Sequence, residues 1–138
     1  MKKAVIVDAG PLVALLNRRE RHHEWSHEQF QQLRPPLLTC EAAISEACFL
    51  LRGVHGGIDA LMQLLSRGIV MAPFCLADEL ASIARLLTRY RSTPMSLADA
   101  CLVRMAEQYA DGTVLTLDRH FRIYRKSGRL VIPTLMPE

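Results

Sequence analysis

The sequence lacks the features that mark several specialised classes of protein. Aromatic residues make up 6% of the chain, so extensive stacking of nucleic-acid bases is not expected. No apolar run reaches transmembrane length, and Asp8 interrupts the N-terminal run before it could form the core of a signal peptide. There is no repeat, linker or low-complexity tract. These absences predict a soluble, cytoplasmic protein without a membrane span.

The cysteines also lack the spacing of a disulfide framework or a cysteine-ligated zinc site. No CxxC pair occurs, and each thiol lies in an apolar stretch, which favours reduced, buried cysteines. The four residues are Cys40, Cys48, Cys75 and Cys101.

Length and charge set the remaining limits. With 138 residues, 50% of them hydrophobic, the chain has the right size for one domain that spans residues 1–138. A net charge of +3 and a pI near 8.8 permit binding to a polyanion but are too low for a strongly basic nucleic-acid binder.

Short apolar runs alternate with longer helical patterns along the chain. The runs predict strands at residues 4–7, 37–39, 69–72, 114–117 and 130–132. The other segments predict one helix that begins at residue 12 and further helices at residues 20–33, 41–52, 58–66, 76–91 and 96–109. This alternation predicts an α/β fold, a three-layer α/β/α sandwich with a mostly parallel central sheet.

Four acidic residues occupy positions at which such a fold gives them a chemical role. Asp8 and Asp118 directly follow predicted strands, and parallel sheets bind ligands beyond the carboxyl ends of their strands. Glu46 and Asp99 lie early in predicted helices, where apolar residues one turn away predict that both face the core. An acid that faces the core needs a partner.

Each acid has a purely structural explanation when it is taken alone. The two aspartates after strands could be helix N-caps, and Asp99 stands three residues after Ser96, the spacing of a capping box. Glu46 could pair with Arg52. All four together favour one or two divalent metal ions, because the sequence offers no cation near three of them. Ligation by oxygen alone indicates magnesium or manganese, and thus phosphoryl hydrolysis.

Four segments of the chain resemble, in order and spacing, the signature segments of PIN-domain ribonucleases, particularly the VapC-type toxins of bacterial toxin-antitoxin pairs. The segments are VIVDAGPLVALLN, CEAAISEACFLL, SLADACLVRMAE and VLTLDRHF. The stretch RHHEWSHEQF is similar to the paired-histidine segment that often follows the first helix in that family. The resemblance covers nearly the whole chain.

The resemblance implies a catalytic and metal-binding site. Its members are Asp8, Glu46, Asp99 and Asp118, with the hydroxyl of Thr116 beside the last acid. We expect Asp8 and Asp99 to be direct ligands of Mg²⁺ or Mn²⁺ and the other two acids to complete the cluster directly or through water. The family often has threonine or serine directly after the first aspartate, and here that place is Ala9, so the resemblance does not extend to that hydroxyl.

One motif indicates a different enzyme. His23, Glu24 and His27 form an HExxH pattern, which on a helix presents two histidines to zinc and a glutamate as base. Glu46 lies roughly where some zinc proteases keep their third ligand. Such proteases need a substrate-binding strand beside the zinc helix and usually a longer chain, and zinc would leave the three aspartates unexplained. The alternative is a solvated helix face with Trp25 packed inward.

Basic residues form two groups, one after the first helix and one after the last acid. Either group could be ordinary solvated surface, but both should lie near the carboxyl edge of the sheet, where they could hold a phosphate backbone. The predicted contacts are Arg18, Arg19, Arg119, Arg122, Arg125 and Lys126. The scarcity of aromatic residues favours recognition of a folded RNA by its shape.

The reaction expected from these residues is hydrolysis of an RNA phosphodiester by a metal-activated water, with in-line displacement of the 3′ oxygen. The resemblance implies products with 5′ phosphate and 3′ hydroxyl ends. It also implies a homodimer, blocked by a small antitoxin whose C-terminal segment enters the acidic groove. The main alternative is a PIN fold that binds RNA or a protein without cutting, which a missing acid would have favoured.

Overall fold

A computed structural model describes residues 3–138 and contains a central sheet of five parallel strands. In chain order the strands are β1 (Val5–Val7), β2 (Leu37–Leu38), β3 (Val70–Met71), β4 (Thr113–Leu115), β5 (Arg125–Lys126), β6 (Leu130–Val131) and β7 (Thr134–Leu135). The sheet order is β3-β2-β1-β4-β7, while β5 and β6 form a separate antiparallel hairpin.

Helices cover both faces of this sheet. They are α1 (Ala9–Leu16), α2 (His23–Gln32), α3 (Glu41–Leu50), α4 (Gly57–Ser66), α5 (Leu80–Arg89) and α6 (Leu97–Gln108). Two short 3₁₀ turns lie at Leu76–Glu79 and Arg119–Arg122. The predicted α/β class with a mostly parallel sheet is confirmed.

Alternating side chains of the central strands explain the two packed layers. Ile6 and Val114 contribute to a core shared with α5 and α6, whereas Val7 and Leu115 point to the opposite face and pack with α1, α3 and α4. All four side chains are fully buried. Strands covered on both faces read as continuous apolar runs, which is the pattern found in the sequence.

The strand order places a ligand crevice between β1 and β4. Strands β2 and β3 lie on one side of β1, and β4 lies on the other side. The strand order therefore reverses between β1 and β4, which is the switch point of the sheet. Ile6 pairs with Val114, and Val7 pairs with Leu115. The first residues after the two strands, Asp8 and Thr116, therefore emerge side by side at the carboxyl edge, the usual ligand site of open α/β sheets.

The predicted strand at residues 130–132 was wrong as a member of the central sheet. Leu130 and Val131 pair with β5 across a turn in which Ser127 and Gly128 have positive φ angles of 51° and 86°. The edge strand beside β4 is β7, and β3 is the edge strand on the other side. The predicted helix at residues 76–91 begins as a 3₁₀ turn before α5.

All four cysteines have free thiols, in agreement with the expectation of reduced cysteines. Cys40 and Cys101 are buried and Cys48 is partly buried, but Cys75 is exposed, so the expectation of burial was wrong for that residue. No helix within residues 3–138 has both the length and the apolar character needed to cross a bilayer.

Candidate active site

Asp8 joins the end of β1 to the beginning of α1. Its extended backbone lets its carboxylate cap the helix, and Oδ1 accepts a hydrogen bond of 2.7 Å from the backbone N–H of Ala9. The Asp8 backbone N–H donates to the carbonyl of Leu115 at 3.0 Å, which holds the residue beside β4. Only 6% of the side chain is exposed. The residue is thus a helix cap, as the structural explanation predicted, and its carboxylate also faces the crevice.

Thr116 connects two of the predicted acids. Its buried hydroxyl donates to Oδ2 of Asp8 at 2.8 Å and accepts a hydrogen bond of 2.9 Å from the backbone N–H of Asp118. A single hydroxyl can donate one hydrogen and accept others, so both bonds form at the same time. Thr116 therefore fixes Asp8 relative to the loop that carries Asp118.

Asp99 forms the predicted capping box at the beginning of α6. The Ser96 hydroxyl accepts from the Asp99 backbone at 3.0 Å, and Oδ2 of Asp99 accepts from the Ser96 backbone at 3.2 Å. The same Oδ2 lies 3.1 Å from the hydroxyl of Tyr124. Within residues 3–138, Oδ1 accepts no hydrogen bond. The capping role therefore occupies one carboxylate oxygen and leaves the other for a ligand.

Asp118, like Asp99, accepts hydrogen bonds from the described residues on only one of its carboxylate oxygens. Its Oδ1 accepts from the backbone N–H of His120 at 2.9 Å and lies 2.7 Å from the Nδ1 of that residue. A carboxylate oxygen only accepts, so the imidazole hydrogen is on Nδ1. No donor from the described part of the chain reaches Oδ2 of Asp118.

Glu46 lies on α3 but does not face the core, and the sequence-based expectation was wrong on this point. Of the four apolar neighbours that suggested a buried face, Ala42 and Ala43 pack inward, but Phe49 and Leu50 are themselves 61% and 47% exposed. Arg52 is not its partner, because that guanidinium lies over the ring of Phe49 and donates to the Phe49 carbonyl. Among residues 3–138 nothing forms a hydrogen bond or ion pair with the Glu46 carboxylate.

The four predicted acids nevertheless line one open pocket of about 390 Å³ at the carboxyl edge of the sheet. The lining residues are Asp8, Glu46, Asp99 and Asp118, together with Gly10, Leu50, Leu117 and Arg119. The structure thus brings together carboxylates that are separated by as many as 110 positions in the sequence, from residue 8 to residue 118.

Comparison with known proteins shows the family of the chain. Residues 5–127 match the PIN domain family. Ribonuclease VapC26 of Mycobacterium tuberculosis (strain ATCC 25618 / H37Rv) is 30% identical to this chain over 128 residues, covering 90% of this chain and 94% of that protein. The chain belongs to the PIN-domain family of VapC ribonucleases.

A solved structure shows the same fold. The crystal structure of VapC20 of Mycobacterium tuberculosis, described as a Sarcin-Ricin loop cleaving toxin, superposes with a TM-score of 0.75 at 18% sequence identity. The match covers 84% of this chain and 91% of that chain. At this identity the likeness supports the PIN fold alone.

Burial, reinforced by repulsion between the acids, raises the pKa values of Asp8, Asp99 and Glu46 in this PIN domain. Burial, together with the charges of Asp99 and Glu46, raises the pKa of Asp8 to about 6, although hydrogen bonds from Thr116 and a backbone N–H oppose the shift. Burial and the charge of Asp118 raise the pKa of Asp99, against its hydrogen bonds. Partial desolvation in the pocket and the charges of Asp99 and Asp118 raise the pKa of Glu46. In the metal-free protein, ionisation of these three carboxylates therefore places the pocket under electrostatic strain.

The donor set fits a hard divalent cation. The pocket offers carboxylate oxygens without thiolate or imidazole among its lining residues, and Asp99 and Asp118 each have one oxygen free of protein donors within residues 3–138. No three acidic, histidine or cysteine side chains of the described residues form a preformed cage for an ion. Mg²⁺ keeps several of its waters and is commonly bound by one or two carboxylates, so separate carboxylates along a pocket suit that ion.

The predicted basic contacts divide into two kinds. Arg119 lines the pocket, and the neighbouring loop also leaves Arg122 exposed. Arg125 and Lys126 form hydrogen bonds within the protein. Nη1 of Arg125 donates to three backbone carbonyls, and Nζ of Lys126 donates to another. The remaining two, Arg18 and Arg19, are exposed just after α1.

The HExxH pattern has a structural role in this PIN domain. Nδ1 of His23 lies 2.7 Å from the carbonyl of Ala14 and must donate to it, which ties α2 to the last turn of α1. His27 and Glu24 are exposed, and Trp25 packs against the core. The structure therefore agrees with the solvated helix face rather than with a zinc site.

Two residues near the acids were missed by sequence reasoning. His120 could have been found, because an aspartate two positions before it is the spacing of a side-chain turn. Tyr124 gives no such signal, since it reaches Asp99 from 25 positions further along the chain.

Proposed function

We propose that this PIN domain is a divalent-metal-dependent endoribonuclease that hydrolyses RNA phosphodiester bonds. The observation that carries the proposal is the presence of all four carboxylates in one pocket at the switch point of the sheet. Membership of the VapC ribonuclease family supports RNA as the substrate. PIN nucleases depend on divalent metal, and the oxygen donors of this site favour Mg²⁺ or Mn²⁺.

Asp8 and Asp99 are the proposed direct ligands, with Glu46 and Asp118 completing the set directly or through water. When bound, the cation supplies Lewis acidity to the phosphate and to the attacking water. Three of the acids are held by the fold, whereas Glu46 is exposed and has no protein partner within residues 3–138. Glu46 is therefore the carboxylate most free to turn and accept a proton from that water.

The bond changes follow from in-line hydrolysis. The water oxygen bonds to phosphorus, its proton passes to a carboxylate, and the 3′ oxygen leaves and takes up a proton. The products carry a 5′ phosphate and a 3′ hydroxyl. Arg119, at the wall of the pocket, is positioned to contact a phosphate that the acids alone would repel. Thr116 holds Asp8 in place and does not need to contact the water.

We further propose that the protein is the toxin of a toxin-antitoxin pair. Membership of the VapC family supports this role, and VapC20, which has the same fold, is described as a toxin. A small cognate antitoxin is the expected partner, with its C-terminal segment in the acidic pocket, and the active protein is expected to be a cytoplasmic homodimer. The exposed Arg18, Arg19 and Arg122 are proposed to contact the RNA backbone, whereas Arg125 and Lys126 are the weaker candidates because the fold already engages them.

Cleavage of total RNA tests the enzymatic proposal. The assay is run with magnesium, manganese, zinc or chelator, and the ends of any product are mapped. Asp99→Asn should reduce cleavage by at least about 10²-fold, because the acids act as a unit. Glu24→Gln is a matched control, since Glu24 is an exposed glutamate outside the pocket. RNA that is bound but left intact by the wild type under every metal condition would favour the non-catalytic alternative.

Growth assays test the toxin role separately. Expression of the wild type alone should slow growth, and co-expression of the neighbouring small protein should relieve the effect. Equal growth of cells that make the wild type and cells that make Asp8→Ala would contradict a toxin role.

A further inference from the structure

We propose that Tyr124 is a positioning residue for Asp99, fixing one oxygen of that carboxylate so that the other faces the metal. The inference rests on the proposed nuclease function, because it assigns Asp99 to the cation. Tyr124 does not line the pocket and is fully buried. It therefore acts through Asp99 and does not touch substrate.

The first support is the hydrogen-bond geometry of Asp99. Its Oδ2 receives the Ser96 backbone N–H at 3.2 Å and lies 3.1 Å from the Tyr124 hydroxyl, so both contacts reach the same oxygen. Donors on one oxygen set the plane and rotation of a carboxylate while the second oxygen remains available. The Ser96 bond is long, at 3.2 Å, so a second donor on the same oxygen restricts rotation about the Cβ–Cγ bond further.

The second support is the rigidity of the tyrosine itself. Its ring packs edge to face with Tyr90 and Phe121, at centroid separations of 5.1 Å and 5.3 Å. The backbone N–H of Arg125 donates to the hydroxyl of Tyr90 at 2.8 Å, which fastens the start of β5 to the end of α5. The position of the Tyr124 ring is thus set by packing against these two rings, which does not involve the Tyr90 hydroxyl.

The hydroxyl carries one hydrogen and faces two acceptors, Asp99 Oδ2 and the carbonyl oxygen of Pro94. The hydroxyl oxygen lies 2.5 Å from the Pro94 oxygen and 3.1 Å from Oδ2, so distance favours the carbonyl, whereas the charge of an ionised Asp99 favours the carboxylate. The Pro94 contact offers a purely structural explanation, in which the hydroxyl only fastens the loop before α6. The two explanations predict different effects on metal binding.

The aromatic cluster of Tyr90, Phe121 and Tyr124 also contacts His120, the residue that binds Asp118. The imidazole of His120 stacks on the Tyr124 ring at a centroid separation of 6.3 Å and an angle of 23°. The same imidazole binds Oδ1 of Asp118. Asp99 and Asp118 are therefore each contacted on one carboxylate oxygen by a polar atom of neighbouring stacked rings, the Tyr124 hydroxyl and the His120 imidazole.

Tyr124→Phe tests the proposal, and Tyr90→Phe is its matched control. Each substitution removes one buried hydroxyl from the same cluster and keeps the ring, but only the first hydroxyl reaches an acid of the pocket. Mn²⁺ binding is measured by calorimetry or by the spin-resonance signal of free Mn²⁺, alongside kcat, KM and thermal melts. We expect Tyr124→Phe to weaken Mn²⁺ binding and lower kcat by about 10-fold with little change in KM, the usual effect of losing a hydrogen bond to a metal ligand. Tyr90→Phe should bind Mn²⁺ as the wild type does, even if its melt is lowered as much.

Equal Mn²⁺ affinity in the two variants would overturn the proposal and leave the hydroxyl as a fastener of the Pro94 loop. A double variant provides a second check: in an Asp99→Asn background, Tyr124→Phe should add no further loss of Mn²⁺ affinity. An additive loss contradicts action through Asp99. Wild type that binds Mn²⁺ but never cuts RNA would refute the nuclease while the metal data still decide the role of Tyr124. Wild type that binds no Mn²⁺ would overturn both proposals.

Discussion

Metal-free protein should become more stable as the pH is lowered from 7 to 5, the reverse of ordinary acid destabilisation. The main group responsible is Asp8, whose pKa rises in the fold from 3.8 to about 6. A carboxyl group with a raised folded-state pKa binds its proton more tightly in the folded state than in the unfolded state. Its ionised form therefore costs stability at neutral pH, and this cost disappears as the pH falls through the folded pKa.

The size of the effect follows from the pKa difference. Each pKa unit corresponds to about 1.4 kcal/mol, so the ionised Asp8 costs the metal-free fold about 3 kcal/mol at pH 7. The side chain is only 6% exposed, so little of this cost is screened by solvent. Roughly 1 kcal/mol should return between pH 7 and pH 5, which raises the melting temperature of a domain of this size by about 3 °C. The raised pKa values of Glu46 and Asp99 act in the same direction.

The assay is a series of thermal melts in chelator at half-unit steps of pH. Asp8→Asn removes the main titrating group, so the slope of its melting temperature against pH should be flatter than that of the wild type. With saturating Mg²⁺ or Mn²⁺ the wild-type trend should reverse, because protons compete with the cation for the same oxygens. A steady loss of stability from pH 7 to pH 5 in chelator would refute the electrostatic strain inferred for the pocket.

Three further predictions follow from individual side chains. Asp99→Asn keeps an oxygen for Ser96 and removes one charge, so in chelator at pH 7 its melts should show a gain of about 0.5 to 2 kcal/mol over the wild type, and added metal should reverse the ranking. Glu46→Gln should lower RNA cleavage by at least about 10²-fold. Its unfolding free energy should stay within about 0.5 kcal/mol of the wild type, because Glu46 is exposed and has no protein partner within residues 3–138. A large drop in stability would contradict its assignment as the free carboxylate. Replacing His23 and His27 together by alanine should lower the melting temperature through loss of the bond to α1 but leave cleavage per folded molecule intact, and loss of cleavage with bound zinc in the wild type would revive the zinc hydrolase.

Local patterns predicted most of the sheet and three of the four acid positions correctly. β1 and β4 are continuous apolar runs because both of their faces are covered, and Asp8, Asp99 and Asp118 obey short-range capping rules that can be read within a few residues. The same capping rules explain why each aspartate alone was ambiguous. A cap needs one oxygen, and the sequence does not say what the other oxygen faces.

Glu46 was placed incorrectly because helical periodicity tells which residues share a face and does not tell what covers it. Phe49 and Leu50 share its face and are exposed, so an apolar stripe was mistaken for core. The hairpin of β5 and β6 and the reach of Tyr124 depend on contacts between distant parts of the chain, which no local pattern records. The sequence predicted four acids that the fold brings to one pocket, but it did not predict most of the contacts that orient them.

The bond between Thr116 and Asp8 joins residues that lie 108 positions apart. During synthesis on the ribosome the pocket therefore stays incomplete until late. Asp8 lacks its contact with Thr116, and Asp99 lacks its contact with Tyr124, until those residues emerge. A nascent chain, or one cut short before residue 116, should be harmless to the RNA around it. The pocket is therefore completed only at the end of translation. A neutralising protein made at the same time can already be present when the nuclease first becomes active.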